Sequence, residues 1–370
     1  MAGRAPRRSR WLTPSRAPGW VAAKSPTNEP YLLFRPSPGT SLLLHRRSAL
    51  VAFGLLLMLC TVMVASACLG QTYVSPGEVW HTLRTGTGPH ELVVGELRMP
   101  RIVVGALVGA ALGLSGALVQ SVTRNPLASP DVIGVGHGAA AATVLALATG
   151  AVASPGALPL VSVSGGLAAA ALVYLLAWRH GMQPSRFVLT GVGIGVALSA
   201  VVQLYLTDSE LEAAEQIKLW LTGSLNGRGY EQAEPLAVVL LVSVPALVWA
   251  SRALGPLGLD PDTAAGLGVP VDRVRLGLTG LGVVLAAVAT GAAGPIGFVA
   301  LTSPQLARRL TRTAQLPLFN AALTGAVLLV AADLAARTLL PPLEVPVGAL
   351  TSLVGGPYLL WLLGRRTATR

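Results

Sequence analysis

The sequence carries little charge for its length. Only 12% of its 370 residues are Asp, Glu, Lys or Arg, and 52% are hydrophobic, whereas a soluble globular chain carries roughly 25% charge. The mean hydropathy of +0.64 points the same way. These values exclude a water-soluble globular domain for most of the chain and favour a lipid bilayer as its solvent.

Lysine, cysteine and histidine are also scarce. Neither of the two lysines, Lys24 and Lys218, follows a glycine, so the Gly-Lys-Ser/Thr end of a nucleotide-binding P-loop does not occur. Both cysteines, Cys60 and Cys68, lie in an apolar run and cannot supply a structural zinc site. The histidines lack ligand spacing, and for His137, near an apolar segment, a polar contact is favoured over a substrate ligand. We therefore expect no ATP hydrolysis by this chain, no cofactor and no metal.

Long runs without Asp, Glu, Lys or Arg dominate what is present. A transmembrane helix needs about 20 consecutive apolar residues. Eight long runs occur, at residues 48–70, 102–123, 132–178, 187–207, 235–251, 276–307, 313–332 and 345–364. The runs 132–178 and 276–307 are too long for one crossing, and proline and glycine interrupt both. Splitting them predicts an all-α polytopic membrane protein with about ten transmembrane helices.

Basic residues cluster in alternate loops of this predicted topology. Nine Arg and Lys lie in residues 1–47 and three in residues 365–370, whereas the loop from 208 to 234 is rich in Asp and Glu. Ten crossings with both termini in the cytoplasm satisfy the positive-inside rule. The net charge of +11 is therefore interpreted as a topology signal and not as a sign of nucleic-acid binding.

Residues 1–47 differ from the rest in composition. They are rich in Arg, Pro and Ser and lack helical periodicity, so we predict a disordered basic cytoplasmic tail; a misassigned start codon is the alternative. A signal peptide would carry its apolar core close to the N-terminus, and here the first run begins near Ser48. Residues 48–364 are predicted to form the transmembrane domain, and residues 365–370 a cytoplasmic C-terminal tail.

Ion coupling has little support in the sequence. Ion-coupled transporters place ionisable groups near mid-membrane, and the apolar runs contain none. Asp333 is the nearest exception, and Arg337 lies one helical turn beyond it, where the two are placed to pair. We find no clustered constellation for an intramembrane enzyme either. The energy for any transport is therefore expected from another protein.

Glycines recur at four-residue spacing in the second apolar run. Gly105, Gly109 and Gly113 lie along one face of the predicted helix, and small residues let helix backbones approach closely in lipid. The G-x-G-x-G segments at 134–138 and 191–195 follow no predicted strand, so they do not indicate dinucleotide binding. The sequence therefore predicts a close helix contact along this glycine face.

Six short motifs occur in order along the chain. They are LRMPR at 97–101, VGAALGLSG at 108–116, RNPLASP at 124–130, AGPIGFV at 293–299, EVPVG at 344–348 and GGP at 355–357. Together they resemble the signature of the FecCD group of permeases, the membrane subunits of ABC importers for iron-siderophores, haem and cobalamin. The chain departs from the group in its longer N-terminal tail and at Gln305, where a histidine is common.

The resemblance implies the architecture of a type II ABC importer. The chain would be a permease subunit in the cell membrane, without enzymatic activity. Its partners would be a second permease subunit, identical or paralogous, cytoplasmic ABC ATPase subunits and an extracytoplasmic substrate-binding protein. The implied cargo is an iron-siderophore chelate. Haem or cobalamin, within the same family, and an ion-coupled secondary transporter are the alternatives.

The longest cytoplasmic loop within the transmembrane domain, residues 252–275, contains a predicted short helix. Asp260-Pro261-Asp262 has the features of a helix start, and Gly266-Leu267-Gly268 of a stop. The loop is similar to the coupling helices that dock on the ATPase in this family, and an ordinary solvated loop is the alternative. The implied coupling residues are Asp260, Pro261, Asp262, Thr263, Ala264, Ala265, Gly266, Leu267 and Gly268.

Three arginines are assigned to the outer margin of the membrane. Arg98 and Arg101 precede the glycine-lined helix, and Arg337 lies near the outer end of the ninth predicted helix. By resemblance they match arginines that receive glutamates from the two lobes of the binding protein. The alternative is an interfacial anchor whose side chains extend to the lipid headgroups.

Overall fold

The computed structural model describes residues 19–24, 30–37, 40–150, 157–178, 184–209, 211–340 and 343–367. The chain divides into two compact units, residues 1–50 and 51–370.

The first unit contains a three-stranded antiparallel sheet. Its strands, in the order β1-β2-β3, are β1 (Gly19–Lys24), β2 (Pro30–Ser37) and β3 (Thr40–His45). The register pairs Leu32 with Leu44. Two short apolar runs in the sequence, 31–34 and 42–44, flank a Pro-Gly pair at 38–39, a pattern typical of a hairpin. The disordered tail over residues 1–47 stays a prediction.

From residue 46 onward every described regular element is a helix. The α-helices are α1 (Arg46–Cys68), α2 (Pro76–Thr85), α3 (Met99–Thr123), α4 (Val135–Ala148), α5 (Leu158–Ala177), α6 (Pro184–Asp208), α7 (Leu211–Leu221), α8 (Tyr230–Val242), α9 (Val244–Leu257), α10 (Pro261–Gly266), α11 (Val271–Ala293), α12 (Val299–Thr311), α13 (Leu318–Thr338) and α14 (Val347–Thr367). A π-helical stretch, Leu92–Arg98, leads into α3, and a 3₁₀ turn, Pro130–Ile133, precedes α4. α14 extends three residues beyond the predicted boundary at 364.

Six of the described helices are long and apolar enough to cross a membrane. α8 and α9, bent by 49° at their junction, make a seventh span if they are counted as one. Pro245 lies in the first turn of α9 and lacks the N–H that a continuous helix needs at this point. The helical membrane fold is confirmed. The remaining predicted segments contain α4, α12 and α14, and ten crossings stay a prediction.

α3 forms the centre of the second unit. It packs against α13, α11 and α12. In the most apolar 18-residue stretch of this span 78% of the residues are buried, compared with 6% in that of α1. α1 instead exposes large apolar side chains such as Phe53, Leu56 and Leu57. An apolar helix that is exposed in this way is suited to contact lipid.

The glycine face of α3 makes close contacts with backbone atoms. A Cβ atom on Gly109 would overlap the carbonyl oxygen of Gly325, and one on Gly113 would overlap that of Ala321. The contact is reciprocal, because a Cβ on Gly325 would overlap the carbonyl oxygen of Gly109. The predicted close helix contact is confirmed, and its main partner is α13.

Two of the motif segments meet at a turn after α7. The backbone N–H of Ser224 donates to the carbonyl of Ala293 at 2.9 Å, and the N–H of Gly348 donates to that of Gly223 at 3.0 Å. Gly223 has a φ of +69°, and a Cβ on Gly348 would overlap the Thr222 carbonyl oxygen. The glycines are therefore needed where α11, α14 and this turn approach one another.

Candidate functional site

Four arginines line one cavity of about 480 Å³ beside the start of α3. We call it the arginine cavity, and its charged lining residues are Arg98, Arg101, Arg228, Arg337, Glu96 and Glu344. The predicted topology places it on the extracytoplasmic side. Because guanidinium groups outnumber carboxylates in the lining, the cavity favours acidic groups.

Arg98 binds the end of α1. Its Nη1 donates to the carbonyl oxygens of Ala67 at 2.7 Å and Cys68 at 3.2 Å, and its Nη2 donates to the carbonyl of Thr72 at 2.6 Å. The last carbonyls of a helix lack intrahelical partners, and a cation at this end is favourable. Arg98 is only 6% exposed and therefore has a structural role, since it caps the C-terminus of α1.

Arg101 belongs to a buried ion network that joins α3, α13 and the segment before α14. Its Nε and Nη2 donate to Oδ1 of Asp333 at 3.0 and 2.9 Å, and its Nη1 donates to Oε2 of Glu344 at 2.9 Å. Arg337 Nε lies 3.2 Å from the other oxygen of Asp333, which confirms the predicted i, i+4 pair. Arg337 also contacts Ser66 through its Nη2. Asp333 thus pairs with two guanidinium groups in a buried position.

Arg228 is the cavity arginine that the sequence analysis missed. It follows Asn226 and Gly227 in the turn between α7 and α8, and its buried Nε has no hydrogen-bond partner in the described part of the chain. Burial lowers the pKa of its guanidinium, which expresses the cost of a desolvated charge. Its position in the sequence could have identified it, because a basic residue in a loop on the predicted acidic side departs from the positive-inside rule.

The structure brings all three predicted docking arginines into the arginine cavity. Arg98, Arg101 and Arg337 are 6%, 8% and 7% exposed. Their guanidinium groups bind protein atoms, so the alternative of anchors that extend to lipid headgroups does not fit them. Docking on a binding protein stays a prediction.

The predicted short helix of the cytoplasmic loop is present as α10. Asp260 caps it, accepting a hydrogen bond from the N–H of Asp262 at 3.3 Å, and Gly268 follows its end with a φ of +80°. Leu267 is 68% exposed. The predicted loop 252–275 is shorter in the structure, since α9 continues to Leu257 and α11 begins at Val271.

A second polar cavity, of about 330 Å³, lies between α4 and α6. Asp131, His137, Ser199 and Gln203 line it. The predicted polar contact of His137 is not found at Nδ1, which is buried without a hydrogen-bond partner among the described residues. The absence of a side chain at Gly195 leaves space for the imidazole, because a Cβ atom there would lie 3.1 Å from Nδ1 of His137.

The helical spans, the glycine-packed α3 and the charged groups at helix ends define a multi-pass membrane protein. The profile of the FecCD transport family matches residues 56–365. The chain belongs to this family, which consists of transport permeases and is not an enzyme family.

The sequence similarity to known permeases extends over almost the full length of each relative. The chain is 40% identical to the ferric enterobactin transport system permease protein FepG of Escherichia coli, over 83% of this chain and 96% of that protein. It is 35% identical to the Fe(3+)-citrate import system permease protein YfmE of Bacillus subtilis, over 86% and 96%. It is also 35% identical to the hemin transport system permease protein HmuU of Yersinia pestis, over 85% and 96%.

A solved structure has the same fold. The chain superposes on a metal-chelate type ABC transporter in an inward-facing conformation with a TM-score of 0.74 and 30% identity. The match covers 85% of this chain and 99% of that one. The architecture expected from the family resemblance is thus found in a solved relative.

Proposed function

We propose that this chain is the permease subunit of an ABC importer that moves an iron-siderophore chelate across the cytoplasmic membrane. The 40% identity to a ferric enterobactin permease, over 96% of that protein, is the observation that carries the proposal. The match to an iron-citrate permease supports the same class of ferric chelate. Haem import is the second candidate, favoured by the 35% identity to a hemin permease.

The energy for import comes from a separate ATPase in this proposal. The chain has no Gly-Lys pair from which a P-loop could be built. The charge distribution supports cytoplasmic termini, which puts α10 on the side where such an ATPase binds. Leu267 and Leu259, 68% and 42% exposed, offer apolar contact on this loop, and Asp260 and Asp262 offer acidic contact.

The arginine cavity receives acidic side chains of an extracytoplasmic binding protein. Arg98, Arg101 and Arg337 already bind groups of this chain, so they shape the cavity and contribute its positive potential. Arg228 is half-buried and makes no side-chain hydrogen bond among the described residues, so its guanidinium is the best placed to donate to a carboxylate. A second permease subunit, identical or paralogous, completes the membrane part of the importer.

Substrate class is tested by uptake into proteoliposomes that contain the permease, its ATPase and its binding protein, with ATP on the ATPase side. We expect accumulation of ⁵⁵Fe-labelled ferric enterobactin or ferric citrate, and competition by the unlabelled chelate. Uptake of hemin alone would select the haem alternative. Uptake of none of these, or of cobalamin alone, would overturn the proposed cargo.

A further inference from the structure

α3 connects the two candidate sites. Arg101 lies in its first turn, in the arginine cavity, and Arg124 caps its C-terminal end beside the loop that carries α10. At 1.5 Å per residue, the 25 residues of α3 span about 37 Å. α3 is also the most buried of the candidate spans.

Arg124 binds the loop that leads into α10. Its Nη2 donates to the carbonyl oxygen of Leu257 at 2.9 Å and also to that of Leu259. Leu257 is the last residue of α9, and Leu259 immediately precedes Asp260, the N-cap of α10. One guanidinium nitrogen therefore bridges two carbonyls at a helix C-terminus, where a cation is favourable.

The same end of α3 is fixed to α12 by buried amides. Gln120, one turn before Arg124, donates from Nε2 to the carbonyl of Leu301 at 3.0 Å. Gln305 donates to Oε1 of Gln120 at 2.6 Å and accepts a hydrogen bond from Arg308 at 3.0 Å. Both glutamines are 3% exposed. The turn of α3 that precedes Arg124 is thus fixed to α12 by two hydrogen bonds of Gln120.

We infer that Arg124 is a positioning residue that links the coupling loop to α3, so that displacement of α10 by an ATPase is passed to α3. The inference rests on the proposed function, since it presumes that an ATPase acts on α10. The competing explanation is that Arg124 is only a cytoplasmic charge that helps to fix topology. A topology signal would need the charge, and the positioning role needs the two hydrogen bonds.

Arg312 provides a matched control. Like Arg124 it is an arginine in the left-handed conformation at a helix C-cap, with φ values of 55° and 51°. Replacement of either residue by Ala therefore has a similar backbone cost. Arg312 is exposed at the end of α12, and among the described residues its side chain makes no hydrogen bond to the loop carbonyls that Arg124 binds.

The test compares Arg124→Ala, Arg124→Lys and Arg312→Ala in proteoliposomes with the ATPase and binding protein, using ⁵⁵Fe-labelled ferric enterobactin. We expect Arg124→Ala to lower chelate uptake per ATP hydrolysed about tenfold, since two charge-assisted hydrogen bonds are lost. Arg124→Lys should recover part of this ratio, and Arg312→Ala should leave it unchanged. A ratio for Arg124→Ala within twofold of the wild-type value would overturn the inference.

Hydrogen–deuterium exchange of the permease in nanodiscs separates this inference from the proposed function. Arg124→Ala should speed amide exchange over residues 258–268, and Arg312→Ala should not, whether or not the wild-type chain transports the chelate. Unchanged exchange in a folded Arg124→Ala variant would refute the link to the loop. If wild-type vesicles take up no chelate while the exchange changes as expected, the proposed function fails and the positioning contact stands.

Discussion

Arg101 and Asp333 are 232 residues apart in the sequence, and two hydrogen bonds of 3.0 and 2.9 Å join their side chains. The contact ties the start of α3 to the end of α13. Arg337 approaches the other oxygen of Asp333 at 3.2 Å, so one carboxylate pairs with two buried cations, and Glu344 supplies a second negative charge to Arg101. Buried charges are stable only while they are paired.

Replacement of Asp333 by Asn should therefore destabilise the permease strongly. The change leaves Arg101 and Arg337 buried with reduced compensation, and loss of one partner of a buried ion pair costs about 3–5 kcal/mol. Thermal unfolding in detergent measures the effect. Glu344→Gln is the control within the same network, because the Glu344 side chain is 32% exposed and its loss should cost about 0–1 kcal/mol. Equal stability of Asp333→Asn and wild type would contradict the network.

Two glycine substitutions, one at the contact between α3 and α13 and one away from it, should change the stability of the protein in opposite directions. Gly109→Ala places a methyl group on the carbonyl oxygen of Gly325 and should cost about 1–3 kcal/mol by overpacking. Gly280→Ala, on α11 with nothing within 4 Å of the new atom, should stabilise by up to about 1 kcal/mol because Ala favours a helix. Unfolding temperatures of the two variants in the same detergent test the prediction, and a stabilised Gly109→Ala variant would refute it.

The short helix α2 should respond to pH through its capping box. Ser75 donates its N–H to Glu78 Oε2 at 3.0 Å, and Ser75 Oγ accepts from the N–H of Glu78 at 3.2 Å. The N–H and the Oγ of Ser75 both donate to Glu78 Oε2, each at 3.0 Å, and these two hydrogen bonds lower the pKa of Glu78 below its ordinary value of 4.5. The helix stability that they supply is therefore present above pH 4.5 and is lost as the pH falls through the lowered pKa.

Amide exchange over residues 76–85 measures this effect, with Glu78→Gln as a variant that does not titrate. Wild type should be better protected than the variant at about pH 6 and equally protected at about pH 3. A difference in protection that does not depend on pH would exclude Glu78 as the titrating group.

Arg228 is a sharper test of docking than the arginines predicted from the sequence. Substitution of Arg98 or Arg101 by Glu would break internal bonds, and lost affinity could then follow from misfolding. Arg228→Glu removes no side-chain hydrogen bond found in the described residues. It should slow association of the binding protein about tenfold at low salt and less at high salt.

Arg84→Glu is the matched control for docking. Arg84 is exposed at the end of α2, on the same predicted side, and does not line the arginine cavity. Surface plasmon resonance on nanodiscs, at low and high salt, compares the two variants. If both slow association equally, general charge attraction explains the effect and the docking role of Arg228 is refuted.

Much of the fold followed from local patterns. Charge-free runs identified the helices, the glycine spacing identified the buried face of α3, and Asp260 identified the start of α10, because each is encoded within a few residues. The pairing of Arg101 with Asp333 was not predictable in this way, because it depends on how α3 and α13 pack. Arg98 shows a second limit: its partners are backbone carbonyls, which leave no trace in side-chain patterns.

The central claim is that import by this chain is driven by a separate ATPase. The most direct measurement is accumulation of ⁵⁵Fe-labelled ferric enterobactin in proteoliposomes that contain the permease and its binding protein, with and without the ATPase, ATP and a protonophore. We predict accumulation only when the ATPase and ATP are both present, at a rate that the protonophore does not change. Accumulation without the ATPase, driven by a proton gradient and abolished by the protonophore, would contradict the account.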